Sequence, residues 1–86
     1  SGIGMALVDL DGRWMRVNRA LCEIVGYDEG ELLRRTVRDL THPDDLEAEL
    51  ALAGELLAGS RAWYALEKRC VRKDGTPVWV LVHASI

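Results

Sequence analysis

Residues 63–86 read WYALEKRCVRKDGTPVWVLVHASI, and this stretch decides the fold. Two apolar runs, WYALEKRCVR and PVWVLVHASI, flank Lys73-Asp74-Gly75-Thr76. Asp-Gly between apolar runs is a strong hairpin signal, because both central positions of a two-residue turn favour positive φ. In the second run Val78, Val80, Val82 and Ala84 share one parity, while Trp79, Leu81 and His83 share the other. An antiparallel strand with one solvated face carries polar residues on one parity. Neither parity is polar here, so both faces of this hairpin are expected to be covered.

The same device recurs at the other end of the chain. IGMALVDL stops at Asp11-Gly12, and RWMRVN returns with Met15 and Val17 on one face and Trp14 and Arg16 on the other. Between the hairpins the pattern is helical. Asn18 suits an N-cap, RALCEIVG places Leu21, Ile24 and Val25 on one side, and Gly26 is a stop signal. Asp28-Glu29-Gly30-Glu31 has capping-box spacing and predicts a short helix through about Arg35. TVRDL reads as an irregular link. One long helix is expected over Pro43–Ala58, with Leu46, Leu50, Ala53 and Leu57 at 4-3-4 spacing and Gly59 as terminator. His42-Pro43-Asp44-Asp45 starts it. Pro43 fits the first helical position, His42 or Thr41 is the cap, and the two carboxylates favour the N-terminal end of the helix dipole. Four strands around a helical insert define an α+β domain with an antiparallel sheet and helices on one face.

Composition narrows the function. Eighty-six residues make one domain, residues 1–86, in which folding buries about 60–65% of the chain's surface. A net charge of −3 argues against a domain built to neutralise phosphates, so no nucleic-acid partner is expected. No apolar run reaches the roughly 20 residues of a transmembrane helix, and no membrane contact by this domain is expected. Cys22 and Cys70 are far apart in unlike contexts, which reads as two packed thiols in a reducing, cytoplasmic compartment rather than a disulfide framework. The chain starts and stops within apolar segments and so reads as a module of a longer protein.

The combination ALVDLDGRWMRVNRALCEIVGY, ELLRRTVRDLTHPDDL and YALEKRCVRKDGTPVWVLVHASI resembles a PAS domain of the bacterial signalling type, over essentially the whole chain. Asp11-Gly12, Asn18, Gly26-Tyr27, His42-Pro43-Asp44-Asp45, Lys73-Asp74-Gly75 and Trp79 carry the resemblance. It implies a five-stranded antiparallel sheet of order 2-1-5-4-3 with helices over one face. It also implies a sensory or dimerisation module, without catalysis of its own, that regulates a linked output domain such as a histidine kinase or a cyclic-dinucleotide enzyme. No fifth strand follows Ile86, so the domain is expected to be C-terminally incomplete. A continuing parent chain, or else a partner's strand, is expected to complete it.

The resemblance further implies two working surfaces. Val8, Val17, Leu21, Cys22, Leu50, Leu66, Lys68, Cys70, Val80 and Val82 are the candidate lining of a small-ligand cavity. Leu7, Trp14, Trp79 and Leu81 are the candidate interface of a homodimer, formed through the outer sheet face or flanking helices. Lys68 stands out among cavity-facing residues, since a buried unpaired ammonium is strongly disfavoured. It is expected either to snorkel its charge to water along an edge strand or to meet an anionic ligand. The flavin-photosensor cysteine motif is absent from LLRRTVRDLT, and no histidine lies between Asp44 and Gly59 to ligate haem. No cofactor is therefore assigned. Two histidines 41 positions apart give no metal-site spacing. A purely structural dimerisation module without ligand is the alternative. A helix-turn-helix over residues 18–40, with Arg34, Arg35 and Arg38 facing DNA, is a remote one that the charge and hairpins oppose. A small α+β enzyme lacks an acid–base constellation.

Overall fold

The structure, a computed structural model, describes residues 3–86. Strands β1 (Ala6–Val8) and β2 (Trp14–Val17) are followed by helices α1 (Arg19–Val25), α2 (Glu29–Leu32), α3 (Val37–Leu40) and α4 (Pro43–Leu57), then by β3 (Trp63–Val71) and β4 (Pro77–Ser85). The α+β architecture is the expected one. Among the described residues the strands form two antiparallel pairs, β1–β2 and β3–β4, with no ladder joining the pairs.

Both hairpin turns differ from the two-residue form. Only the glycines, Gly12 (φ 86°) and Gly75 (φ 88°), take positive φ, and the aspartates before them do not. Each turn is closed three residues back, from Gly12 N–H to the Asp9 carbonyl and from Gly75 N–H to the Arg72 carbonyl, both pairs with a left-handed glycine leading into the return strand. A wider turn with one αL glycine meets the same need as an Asp-Gly pair.

A bulge changes which residues of β2 face inward. Val8 pairs with Trp14 and Leu7 with Arg16, leaving Met15 as the extra residue. Trp14 and Val17 consequently lie on one side, half-buried against the core, while Met15 is 58% exposed. The strict alternation expected for RWMRVN fails for this reason.

The helical insert is held by local caps. Asn18 accepts from Leu21 N–H, Asp28 and Glu31 form a reciprocal capping box, and Gly26 ends α1 at φ 78°. α2 stops at Leu32, short of Arg35. TVRDL is not an irregular link. Thr36 and Asp39 form a second reciprocal capping box that starts the one-turn helix α3. In α4, Glu49 and Leu56 are buried, whereas Leu50 and Leu57 are exposed. The inner face is thus rotated by one residue from the apolar stripe that the sequence suggests.

The insert also covers one edge of each hairpin. Trp14 N–H donates to the Arg35 carbonyl and Val37 N–H to the Gly12 carbonyl, which occupies the free side of β2. Thr41 bridges to Cys70, and His42 N–H donates to the Arg69 carbonyl, which occupies the free side of β3. Such coverage satisfies strand edges that would otherwise pair with another chain. β1 and β4 each keep one side without a strand partner among the described residues. The core lies between the hairpins and the short helices. Val25, Leu32, Leu40 and Cys70 are buried there, with Trp14, Val17, Leu21, Cys22, Val78 and Val80 packed around them.

Candidate functional site

Strands β3 and β4 carry both surfaces. Their register pairs Leu66 with Val82, Lys68 with Val80 and Cys70 with Val78 on one face, and Glu67 with Leu81 and Arg69 with Trp79 on the other. The burial pattern follows this alternation along both strands.

On the inner face Lys68 is 3% exposed, so its charge does not snorkel to water. Its ammonium donates to the Thr41 hydroxyl (2.9 Å) and to the carboxylate of Glu49, which is 5% exposed. Thr41 in turn donates to the other Glu49 oxygen (2.6 Å). Three polar side chains from the α3–α4 junction, α4 and β3 thus form a closed network. The anion beside Lys68 is supplied from within the chain. An ion pair this deep survives because each member is hydrogen-bonded as well as paired. Tyr64, buried next to this cluster, has its phenol pushed above its ordinary range by burial and then by the Glu49 charge.

Of the sequence-predicted cavity residues, Lys68 and Cys70 are buried, and Leu66, Val80 and Val82 are half-buried on this face. Leu21, Cys22 and Val17 pack against the same core from α1 and β2. Two are placed otherwise. Leu50 points away from the inner face because Glu49 occupies it, and Val8, 40% exposed, sits on the other hairpin opposite Trp14. Burial raises the thiol pKa of both Cys70 and Cys22, so neither is an activated thiolate. The described residues form open concavities. One of about 420 Å³ lies between Gly26 and the β3–β4 turn, and one of about 300 Å³ is lined by Met5, Leu7, Arg16 and Val17. Among the described residues no group of three or more His, Cys, Asp and Glu converges on a metal position.

On the outer face Trp79 and Leu81 are 63% and 72% exposed, and Leu7 is also exposed. Trp14, expected on this face, is turned into the core by the Met15 bulge. His83 shares the parity of Trp79 and Leu81 as expected, whereas sequence reasoning missed two members of the surface, Trp63 and Arg69. Trp63 stacks on His83 with centroids 5.1 Å apart, and the Arg69 guanidinium lies 5.0 Å from the centre of the Trp79 ring. The parity of Trp63 and Arg69 on β3 was the available signal.

Arg69 also engages the start of α4. Its backbone N–H (2.7 Å) and Nε (3.0 Å) both donate to Asp45 Oδ2, and Nη2 donates to Oδ1 (2.9 Å). These bonds hold the Asp45 carboxyl down at about 2, from an ordinary value of 3.8. A carboxyl depressed on folding stabilises the fold above its unfolded value, and the contribution is lost as pH falls from about 4 towards 2. The Asp45→Asn variant is therefore expected to show a flatter loss of stability over that window than the wild type. Urea midpoints at successive pH values check this, and identical profiles would refute it. Glu31 and Asp74, both also depressed, leave a residual slope in the variant.

Two antiparallel hairpins, a four-helix insert closing their outer edges, and a long helix started by His-Pro-Asp-Asp define a class of α+β signalling module. The chain belongs to the PAS fold family, whose model matches residues 15–86. It is 41% identical over its full length to the probable diguanylate cyclase DgcE of Escherichia coli, of which it spans 8%. It is 37% identical, over 93% of the chain, to the C4-dicarboxylate transport sensor protein DctS of Rhodobacter capsulatus, of which it spans 12%. Among solved structures it resembles the PAS-B domain of Drosophila melanogaster Cycle with bound glycerol, at TM-score 0.86 and 12% identity over 94% of this chain and 79% of that one. It also resembles a PAS domain from Desulfitobacterium hafniense, at TM-score 0.71 and 22% identity over 88% and 70%. No helix among the described residues is long and apolar enough to cross a membrane.

Proposed function

We propose that this chain is a cytoplasmic sensory module that regulates a linked output domain and associates with a second copy through the outer face of β3–β4. The observation that carries the reading is that one hairpin serves two faces. Its inner face packs on the core through Lys68 and Cys70, and its outer face exposes Trp63, Trp79 and Leu81. Any repacking of the inner face moves strands that also carry the outer one, so occupancy inside biases association outside. The relatives support this role, since the chain matches a small part of much longer signalling proteins. The ligand favoured at the inner face is a neutral molecule. An anion beside Lys68 must displace Glu49 or bury a second negative charge next to it, and either is costly.

Trp79→Glu places a carboxylate in the centre of the outer patch and is expected to abolish association in sedimentation velocity while leaving the fold intact. Unchanged association would refute the interface. Mass spectrometry of the denatured, freshly purified protein tests the sensor reading. A stoichiometric co-purified small molecule supports it, and its absence favours the second reading, a dimerisation module without ligand. The packed core of Val25, Leu32, Leu40 and Cys70 is the observation on that side.

A further inference from the structure

We propose that Arg69 is a positioning residue that couples the start of α4 to the outer face of the sheet, by holding the Asp45 carboxylate and the Trp79 indole at the same time. Successive strand residues point to opposite faces, so Arg69 begins on the outer face next to Trp79. β3 has β4 on one side only, and its other side meets the Thr41–His42 segment. A long side chain can therefore turn around this edge, and Arg69 does so. Two of its guanidinium nitrogens engage the two Asp45 oxygens, and the same planar group lies over the Trp79 ring. A bidentate carboxylate fixes the plane of a guanidinium, and a fixed plane fixes what stacks on it.

The second half of the coupling lies one helical turn further on. Asp45 and Glu49 are i and i+4 on α4, and they grip consecutive residues of β3, Asp45 on Arg69 at the open edge and Glu49 on Lys68 at the inner face. A change at the inner face that displaces Glu49 carries Asp45 with it on the same rigid helix. Arg69 then either drags Trp79 or loses it. Inner packing and outer surface are joined by four named side chains, Glu49, Asp45, Arg69 and Trp79. This rests on the reading of the outer face as the association surface.

The test uses the indole N–H resonances of the full chain, with Trp79 assigned from Trp79→Phe and with Trp14 and Trp63 as internal references. Asp45→Asn is expected to shift the Trp79 signal well beyond the shift in Glu55→Gln, a substitution on the same helix that breaks the exposed ion pair of Glu55 with Arg61. Arg69→Lys keeps the charge but not the planar fork, and is expected to give a comparable shift. The double variant is expected to add nothing to Arg69→Lys alone, the non-additivity that marks a shared pathway. If Asp45→Asn fails to fold, Arg69→Lys against Asp45→Glu carries the same comparison. An unmoved Trp79 signal, or fully additive shifts, overturns the coupling. Sedimentation of the same variants separates the two readings. A shifted Trp79 signal with unchanged association keeps the coupling and removes the interface.

Discussion

Replacing Lys68 by Met is expected to destabilise the domain by about 3–5 kcal/mol, the cost of leaving a buried charge without its partner. A domain of this size has on the order of 4–13 kcal/mol in total, so the variant sits close to the unfolding threshold. The cause lies in Glu49, which is 5% exposed and has only Thr41 left as a donor once Lys68 is gone. Removing the partner as well changes the sign of the argument. In Lys68→Met with Glu49→Leu no charge is buried, both side chains keep roughly their volume, and the single Thr41 hydroxyl proton, released from Glu49, turns to the Val37 carbonyl 3.0 Å away. Such replacements are neutral or stabilising by about 1–4 kcal/mol. The double variant is therefore expected to recover the wild-type urea midpoint or exceed it. A single variant within about 1 kcal/mol of wild type would refute the closed network. A double variant as unstable as the single one would show that the pair is worth more than its desolvation costs.

The pair also marks where sequence reasoning reached its limit. Caps were legible because donor and acceptor lie within three or four residues. Asn18 with Leu21, Asp28 with Glu31, and His42 before Pro43 fall where their residue types place them. The Thr36 box was overlooked because Asp39 stands where Glu or Gln is usual. The face of α4 was misjudged for a different reason. Glu49 is charged and Leu50 apolar, so solvent and core were assigned by type, and the partner that reverses the choice lies 19 residues away on another element. The same distance hid the second task of His42-Pro43-Asp44-Asp45. The tetrapeptide does start the helix, but His42 N–H and the Asp45 carboxylate also satisfy the backbone of Arg69 on an open strand edge. The two faces of β3–β4 were legible from parity alone, whereas β2 was not, because a one-residue bulge inverts parity and leaves no mark in composition.

Leu32→Ala is expected to cost about 2–5 kcal/mol, comparable to the loss of Lys68 but by a different mechanism. Leu32 is fully buried, among Val25, Leu40 and Cys70, at the end of a helix of four residues. A single turn has no stability of its own, since nucleation costs more than one turn's hydrogen bonds return. What holds α2 in place is therefore Leu32 in the core, its capping box, and the Glu31–Lys73 ion pair at 2.6 Å across to the β3–β4 turn. The last of these is solvent-screened, and such pairs contribute little. Burial of the leucine must supply most of the rest. Truncation leaves a cavity between the two hairpins, where the described strands share no ladder that would let them close over it. Amide exchange should then rise first in α2 and α3, whose attachment runs through Leu32 and Leu40, and later in β3–β4, whose nine-residue ladder is intact. Lys73→Ala, measured alongside, is expected to move the urea midpoint by a small fraction of the Leu32→Ala shift. Equal effects of the two substitutions would mean that the turn contact, and not the core leucine, anchors the helical insert.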